Sequence, residues 1–442
     1  MNSNQILDGK DFRKILGRFK ASWMQLTNLK KYITDSPKSF EEKDKLDKLQ
    51  GLNYNNRIIY MPPQLTCEFE KIADDIYSIK GIADIITKRT IERNIGYEIA
   101  QVLEKPQEIH SAKNARAIVE KCLADCEEYT FYRIVDGLKL EDVSIQLGEV
   151  QIFNSNEMYI SELLKVDFAK LPEADRRRQL LNKVIIRCKV FGDKDIAKNK
   201  AIRKLRETLN IIRFLICILY KGGSTDNSLK VNFLAEAYIA EENTVFIDNA
   251  GHENWQFQVT NKILIPFEVN PKLLENLQDT DFFSKLIFLI NKVEHTELEQ
   301  AVLTSIYWIG EAQNDYSLTH TFIKYWSGIE ALIYNPPDNK GVTELVENGL
   351  ATVLTYGGFK LDSSRKIKDY DKQIKDLYEK RSLIVHRGEY EAVTPNDLYH
   401  VSKMAVYMAL NCLVLCDIGY KTLEDIKKEA DRLRAKLKKK KD

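Results

Sequence analysis

From about Pro271 onward, apolar residues recur at three- and four-residue intervals in one segment after another, with only short connections between them. The segments lie near 272–293, 296–313, 317–334, 342–356, 364–386 and 395–417, and a charged last one begins around Thr422. A stripe at that spacing has to be covered by another element, and short connections make neighbouring helices antiparallel. The expectation for residues 271–442 is therefore an antiparallel helical bundle.

The preceding chain has a different texture. Residues 1–128 read as a helical N-terminal region, in which Leu16, Phe19, Trp23 and Leu26 give the first helix its apolar stripe. Lys10, Arg13, Lys14, Arg18 and Lys20 occupy its other faces and read as solvated surface, with phosphate contact as the alternative. Ser36-Pro37 and Met61-Pro62-Pro63 mark breaks, and further helices are expected to about Leu103 and from about Ser111 to Glu127. Residues 129–270 read as a mixed α/β region. Tyr129–Val135, Val143–Phe153, Val184–Phe191, Val231–Ile239, Thr244–Ile247 and Trp255–Val259 are rich in β-branched and aromatic residues, as strands are. Gly192-Asp193-Lys194-Asp195 leads into a long helix reaching about Tyr220, and Gly222-Gly223-Ser224 ends it. The expected class is α+β, predominantly helical.

A chain of 442 residues is too long for one core, which agrees with this three-part division. Its 44% hydrophobic and 30% charged residues describe a globular protein rather than a disordered one. Net charge is +1, so any polyanion contact has to come from a local patch. Seven scattered cysteines, with no secretory signal at the N-terminus, point to a reducing cytoplasm. The most hydrophobic run, Ile211–Tyr220, is interrupted by Arg213 and too short to span a bilayer. It reads as a buried helix segment, and no membrane association is expected.

The most informative segment is Leu377-Tyr378-Glu379-Lys380-Arg381-Ser382-Leu383-Ile384-Val385-His386-Arg387-Gly388. Ile374, Tyr378, Arg381 and Val385 fall on one helical stripe, which puts an arginine among core-like neighbours. Such an arginine needs a partner or an interface. Ser382 and His386 share the adjacent face. Gly388 is placed to end the helix, leaving His386 in the last turn beside carbonyl ends that favour an imidazolium. A histidine titrating near neutrality suits general acid–base work. A five-residue offset, however, sets Arg381 and His386 about 140° apart on an ideal helix. They converge only if the helix end unwinds or two helices each supply one pair, as at a two-fold interface.

This R-x4-H arrangement resembles the signature of HEPN ribonucleases, and RSLIVHRG after LYEK looks like the Apea-like HEPN branch. Phe322-Ile323-Lys324-Tyr325-Trp326-Ser327-Gly328-Ile329-Glu330-Ala331-Leu332 is similar to the aromatic-then-Glu helix of that branch. Thr394-Pro395-Asn396-Asp397 then starts the next helix, with Thr as cap, Pro at N1 and Asp at N3. The resemblance covers about residues 296–418, with a weaker echo in GLKLEDVSIQLGEVQIF. It implies a homodimeric, metal-independent endoribonuclease without cofactors, acting on RNA as an antiphage-defence or toxin-type effector whose N-terminal regions sense a phage or cellular trigger. His386 would activate the ribose 2′-hydroxyl or protonate the leaving oxygen, and Arg381 would stabilise the phosphorane. Glu330 would orient a catalytic side chain. Ser382 takes the polar position where many members carry Asn, Asp or His. Arg387, Lys380 and Tyr378 are candidates for holding the substrate. A HEPN-type bundle serving only dimerisation or RNA and nucleotide binding is the alternative.

Other candidates have blander readings. Cys122/Cys126 and Cys412/Cys416 are spaced like pairs of metal ligands but lack two further Cys or His nearby, so they read as core. His400 reads as a solvated histidine, and His110, His252, His295 and His320 show no partner pattern. The basic stretch Arg432–Lys441 fits either non-specific RNA contact or a solvated helix end.

Overall fold

The computed structural model describes residues 6–7, 9–26, 50–54, 57–61, 63–104, 111–164, 180–219, 231–233, 242–247, 253–258, 266–315, 317–334, 342–390 and 393–439. They form two compact units, Met1–Phe131 with Lys189–Arg203, and Tyr132–Cys188 with Lys204–Asp442. In chain order the first elements are α1 (Lys10–Leu26), the antiparallel hairpin β1 (Gln50–Tyr54) and β2 (Arg57–Met61), α2 (Pro63–Tyr77), α3 (Lys88–Glu104) and α4 (Ser111–Ala124). Next come β3 (Glu127–Asp136), β4 (Leu138–Leu140), β5 (Ile145–Leu147), β6 (Val150–Asn154), α5 (Glu157–Leu164), β7 (Val184–Gly192) and α6 (Lys194–Leu219). Then follow β8 (Asn232–Phe233), β9 (Glu242–Ile247), β10 (Glu253–Gln258) and β11 (Phe267–Val269). The remainder is helical: α7 (Pro271–Gln278), α8 (Asp281–Asn291), α9 (Glu297–Asn314), α10 (Leu318–Glu330), α11 (Val342–Tyr356), α12 (Ile367–Arg387), α13 (Pro395–Asp417) and α14 (Leu423–Lys439). The chain is a mostly helical α+β protein.

In the first unit, α1 buries Phe12, Ile15, Phe19, Trp23 and Leu26 against α2 and α4. Its basic faces are on the surface, where Arg18 meets Asp75 at 2.9 Å and Lys14 meets Asp11 at 3.6 Å. The hairpin β1–β2 falls within the region expected to be mainly helical and ends at the expected break Met61-Pro62-Pro63; Ser36-Pro37 lies outside the described residues. Cys122 is fully buried, and burial pushes its thiol up to about 12.

One carboxylate starts two helices in this unit. Asp193, almost fully buried, accepts from the Thr87 backbone N–H at 2.6 Å, the Thr87 hydroxyl at 2.8 Å and the Ile196 N–H at 2.8 Å. It thus caps α6 and fixes the entry to α3. Burial by itself raises the carboxyl, but these hydrogen bonds outweigh it and hold Asp193 below the usual carboxylate range. The folded-state value is the depressed one. The associated stability is therefore fully present above the unfolded carboxylate pKa, about 3.9, and drains away as pH falls through the folded value. Asp193→Ala is expected to cost about 1–2 kcal/mol at pH 7. In urea melts from pH 7 to pH 3 the gap between wild type and variant should narrow at the acid end; a pH-independent gap refutes the capping account.

In the second unit, Val143–Phe153, expected as strand punctuated by Gly148, is the antiparallel pair β5–β6, which reverses at that glycine with φ +59°. They belong to a five-stranded sheet of order β5-β6-β7-β3-β8, while β11 pairs in parallel with β4. Of the expected strand Val231–Ile239 only Asn232–Phe233 is described, and Gly222-Gly223-Ser224 lies outside. The expected helix 272–293 is two helices, because Asp279-Thr280 interrupts it and Thr280 is extended (φ −87°, ψ 133°). Helices α9, α10 and α13 pack on one another, and α11 packs on α12, α13 and α14. Helix α13 is long and apolar enough to cross a membrane by length and composition, yet 67% of its most apolar window is buried inside the protein. Cys412 on it is fully buried and Cys416 half-buried; burial raises both thiols, Cys416 to about 12.

The arginine that interrupts the apolar run of α6 is itself in the core. Arg213 is 1% exposed and donates to the Val231 carbonyl at 2.8 Å, Asn210 Oδ1 at 2.6 Å and Asn232 Oδ1 at 2.7 Å. Glu311 of α9 lies 3.7 Å away and accepts from Asn210 Nδ2 at 3.0 Å. Beside this network α6 and α9 touch backbone to backbone at Gly310: a Cβ there would lie 2.4 Å from Asn210 Cβ and 2.5 Å from its Cα.

Candidate functional site

Helix α12 carries the R-x4-H segment, and its sequence explains its limits. Asp369 closes a capping box at the start, and Gly388 ends the helix in the left-handed region (φ 71°, ψ 25°). There the Gly388 N–H donates to the Ile384 carbonyl at 3.0 Å, a termination a β-carbon would strain. The next helix opens on the expected cap: Thr394 and Asp397 form a reciprocal box with Pro395 in the first turn.

The buried face of α12 is Tyr370, Ile374, Leu377 and Ile384, and Arg381 falls among them at the same three-four spacing. The stripe expected through Val385 is corrected by one position, since Val385 is 48% exposed. Arg381 Nη2 donates to Glu330 Oε2 at 3.0 Å, with the two side chains 22% and 28% exposed. Its guanidinium stands 5.8 Å from the centroid of the Tyr378 ring. That ring meets the fully buried Trp326 edge-on at 5.5 Å. The helix containing Trp326 and Glu330 therefore presents a carboxylate and an aromatic wall to one arginine. Half-buried, the pair is worth more than a solvated one and leaves the guanidinium fixed in direction.

The remaining expected residues are placed differently. His386 is exposed in the last turn and has no hydrogen bond or ion pair among the described residues. Ser382 is half-buried and likewise makes none among them. Helix α12 is continuous to Arg387, so its end does not unwind to turn His386 toward Arg381. Arg381, Glu330 and Tyr378 are brought together; His386 stands apart on the helix surface. Lys380, expected to hold substrate, has its ammonium 2.6 Å from Asp397. Burial raises that carboxyl, but hydrogen bonds from Lys380 and Thr394 outweigh it and keep Asp397 below its ordinary range. Arg387 is open, with its side chain 72% exposed and Glu389 4.0 Å away. The Lys380–Asp397 pair had no sequence signal: Asp397 was legible only as a capping residue, and the pairing depends on how α13 packs beside α12.

Among the other histidines, His295 Nε2 lies 2.9 Å from the Leu289 carbonyl and His320 is exposed near Asp315; His110 and His252 lie outside the described residues. Arg432 pairs with Glu429, and Arg434 is tied to Asp371 at 2.6 Å, so the basic end of α14 is partly committed to the fold. Among the described residues no group of three or more His, Cys, Asp and Glu side chains converges as a metal centre. No family model, curated protein or solved structure matches this chain.

Proposed function

We propose that residues 271–442 form a HEPN-type bundle that cleaves RNA without a metal, at a site composed of two copies of α12 across a two-fold axis. The observation that carries this reading is the contrast on α12. Arg381 is a half-buried, directed cation, whereas His386 is exposed and unpaired among the described residues, on the same uninterrupted helix. A second copy supplies the missing convergence, because a two-fold axis repeats each pair. In this reading His386 takes the 2′-hydroxyl proton or gives one to the leaving 5′-oxygen, and Arg381, aimed by Glu330, offsets the charge of the phosphorane. The products are a 2′,3′-cyclic phosphate and a 5′-hydroxyl. Residues 1–270 answer to the trigger that an antiphage-defence or toxin-type effector requires, a setting that rests on analogy.

Purified protein is expected to degrade RNA in EDTA, and His386→Ala to slow this at least about 100-fold, as loss of a general acid–base does. Equal cleavage by wild type and His386→Ala, or cleavage abolished by EDTA, sinks the proposal. A non-catalytic dimerisation or RNA-binding bundle is favoured by one observation: Arg381 and Lys380 both already hold carboxylate partners, Glu330 and Asp397. That reading expects RNA binding with no cleavage by either protein.

A further inference from the structure

The chain is held in place where it leaves α12. Two residues past the helix, the Tyr390 carbonyl accepts from the Thr319 hydroxyl at 2.8 Å. Thr319 is buried on α10, the helix whose Glu330 holds Arg381. Helices α10 and α12 are thus tied twice, and the second tie fixes the backbone of an aromatic residue. Tyr390 is 65% exposed, more than any other tyrosine among the described residues. Its ring is not loose: Cε2 lies 3.9 Å from the point a β-carbon on Gly388 would occupy. Gly388 follows Arg381 by seven residues, close to two turns, so the ring stands at the end of the helix face that carries the arginine, about 10 Å along the axis. Val385, one turn after Arg381 and 48% exposed, lies on the strip between them and leaves it open to solvent.

We propose that Tyr390 is a stacking platform for one nucleobase of single-stranded RNA whose phosphate lies at Arg381. This rests on the RNA-cleaving reading of α12 and adds how that site grips its substrate. Unpaired bases are held on aromatic rings, and such stacking tolerates any base because each has a π-face. A ring already fixed by its backbone tie and by Gly388 loses little freedom when a base lies on it. The spacing also fits: 10 Å is the rise of about three stacked nucleotides, and of fewer when the strand is extended. Tyr378 cannot take this part, because its ring is engaged by Arg381 and Trp326.

The test uses a short chain of abasic 2′-deoxyribose phosphates carrying a single 2-aminopurine, whose fluorescence falls when it stacks. Lacking the attacking hydroxyl, this probe binds without being cut. The full wild-type chain is expected to quench it saturably, and Tyr390→Phe to match wild type within about twofold. Tyr390→Ala keeps the carbonyl that Thr319 holds, so the fold is retained. It should bind about tenfold more weakly, without quenching, as loss of one base–aromatic stack does. A fully abasic probe should cost wild type the same factor and cost Tyr390→Ala nothing. Equal binding by wild type and Tyr390→Ala, a base contribution that survives in Tyr390→Ala, or no binding by wild type overturns the proposal. So does a changed oligomeric state of Tyr390→Ala in sedimentation, since the ring then faces a second chain. Cleavage is scored separately on unmodified RNA. A chain that stacks the base but cuts nothing refutes the nuclease reading alone. Undiminished kcat/KM in Tyr390→Ala refutes the stacking role alone.

Discussion

Replacing Gly310 by alanine is expected to destabilise the second unit by about 3 kcal/mol or more, because the contact it violates is with backbone. The added carbon falls 2.4 Å from Asn210 Cβ and 2.5 Å from Asn210 Cα, where no side-chain rotation relieves it. The two helices have to separate, and the whole seam between α6 and α9 loses close packing. Urea unfolding followed by tryptophan fluorescence measures the effect. A loss under about 1 kcal/mol shows that the helices can part cheaply and that the close approach is not required.

The second large effect is expected at Arg213. Arg213→Ala removes three hydrogen bonds from a fully buried group and leaves Asn210 Oδ1, Asn232 Oδ1 and the Val231 carbonyl without their donor. Breaking a buried charged network in this way costs about 3–5 kcal/mol, mostly through the partners left behind. Arg213→Met, which keeps most of the volume, should recover only the packing part of that loss. Asn210 is at once the wall facing Gly310 and the acceptor of Arg213, so the two sites are coupled. Thermal or urea melts of Gly310→Ala, Arg213→Met and the double variant should give a sum larger than the double-variant loss, by about 1 kcal/mol. Strict additivity, within about 0.4 kcal/mol, refutes the shared role of Asn210.

These two residues also mark where sequence reading stops. Local chemistry was legible: the Thr394-Pro395-Asp397 start and the Gly388 stop depend on residues within one turn, and both appear as expected. The helical order after Pro271 was legible because its periodicity is strong, apart from the break at Thr280, where one residue's backbone decides. The stripe of α12 was displaced by one residue at its end, since Ile384 and Val385 are equally apolar and only packing tells them apart. Arg213 looked like an interruption of an apolar run. Its partners Asn232 and Glu311 lie 19 and 98 residues away, as 232 − 213 and 311 − 213 give, and no spacing rule connects such positions. In the candidate site, the resemblance gave Glu330 the task of orienting a catalytic side chain without saying which, and both its bond to Arg381 and the Lys380–Asp397 bond depend on tertiary packing.

The first unit is discontinuous along the chain, and this has a consequence for how the protein is made. Its second piece, Lys189–Arg203, carries Asp193, the carboxylate on which the start of α3 depends. During synthesis the first 131 residues leave the ribosome without that cap, and a further 72 (132 to 203) must follow before the unit is whole. At 5–20 residues per second the wait is roughly 4–14 s. The apolar core does not share that delay, because its cluster runs from Ile6 to Cys122 and is drawn wholly from the first piece; what waits for the second is the cap that fixes the entry to α3.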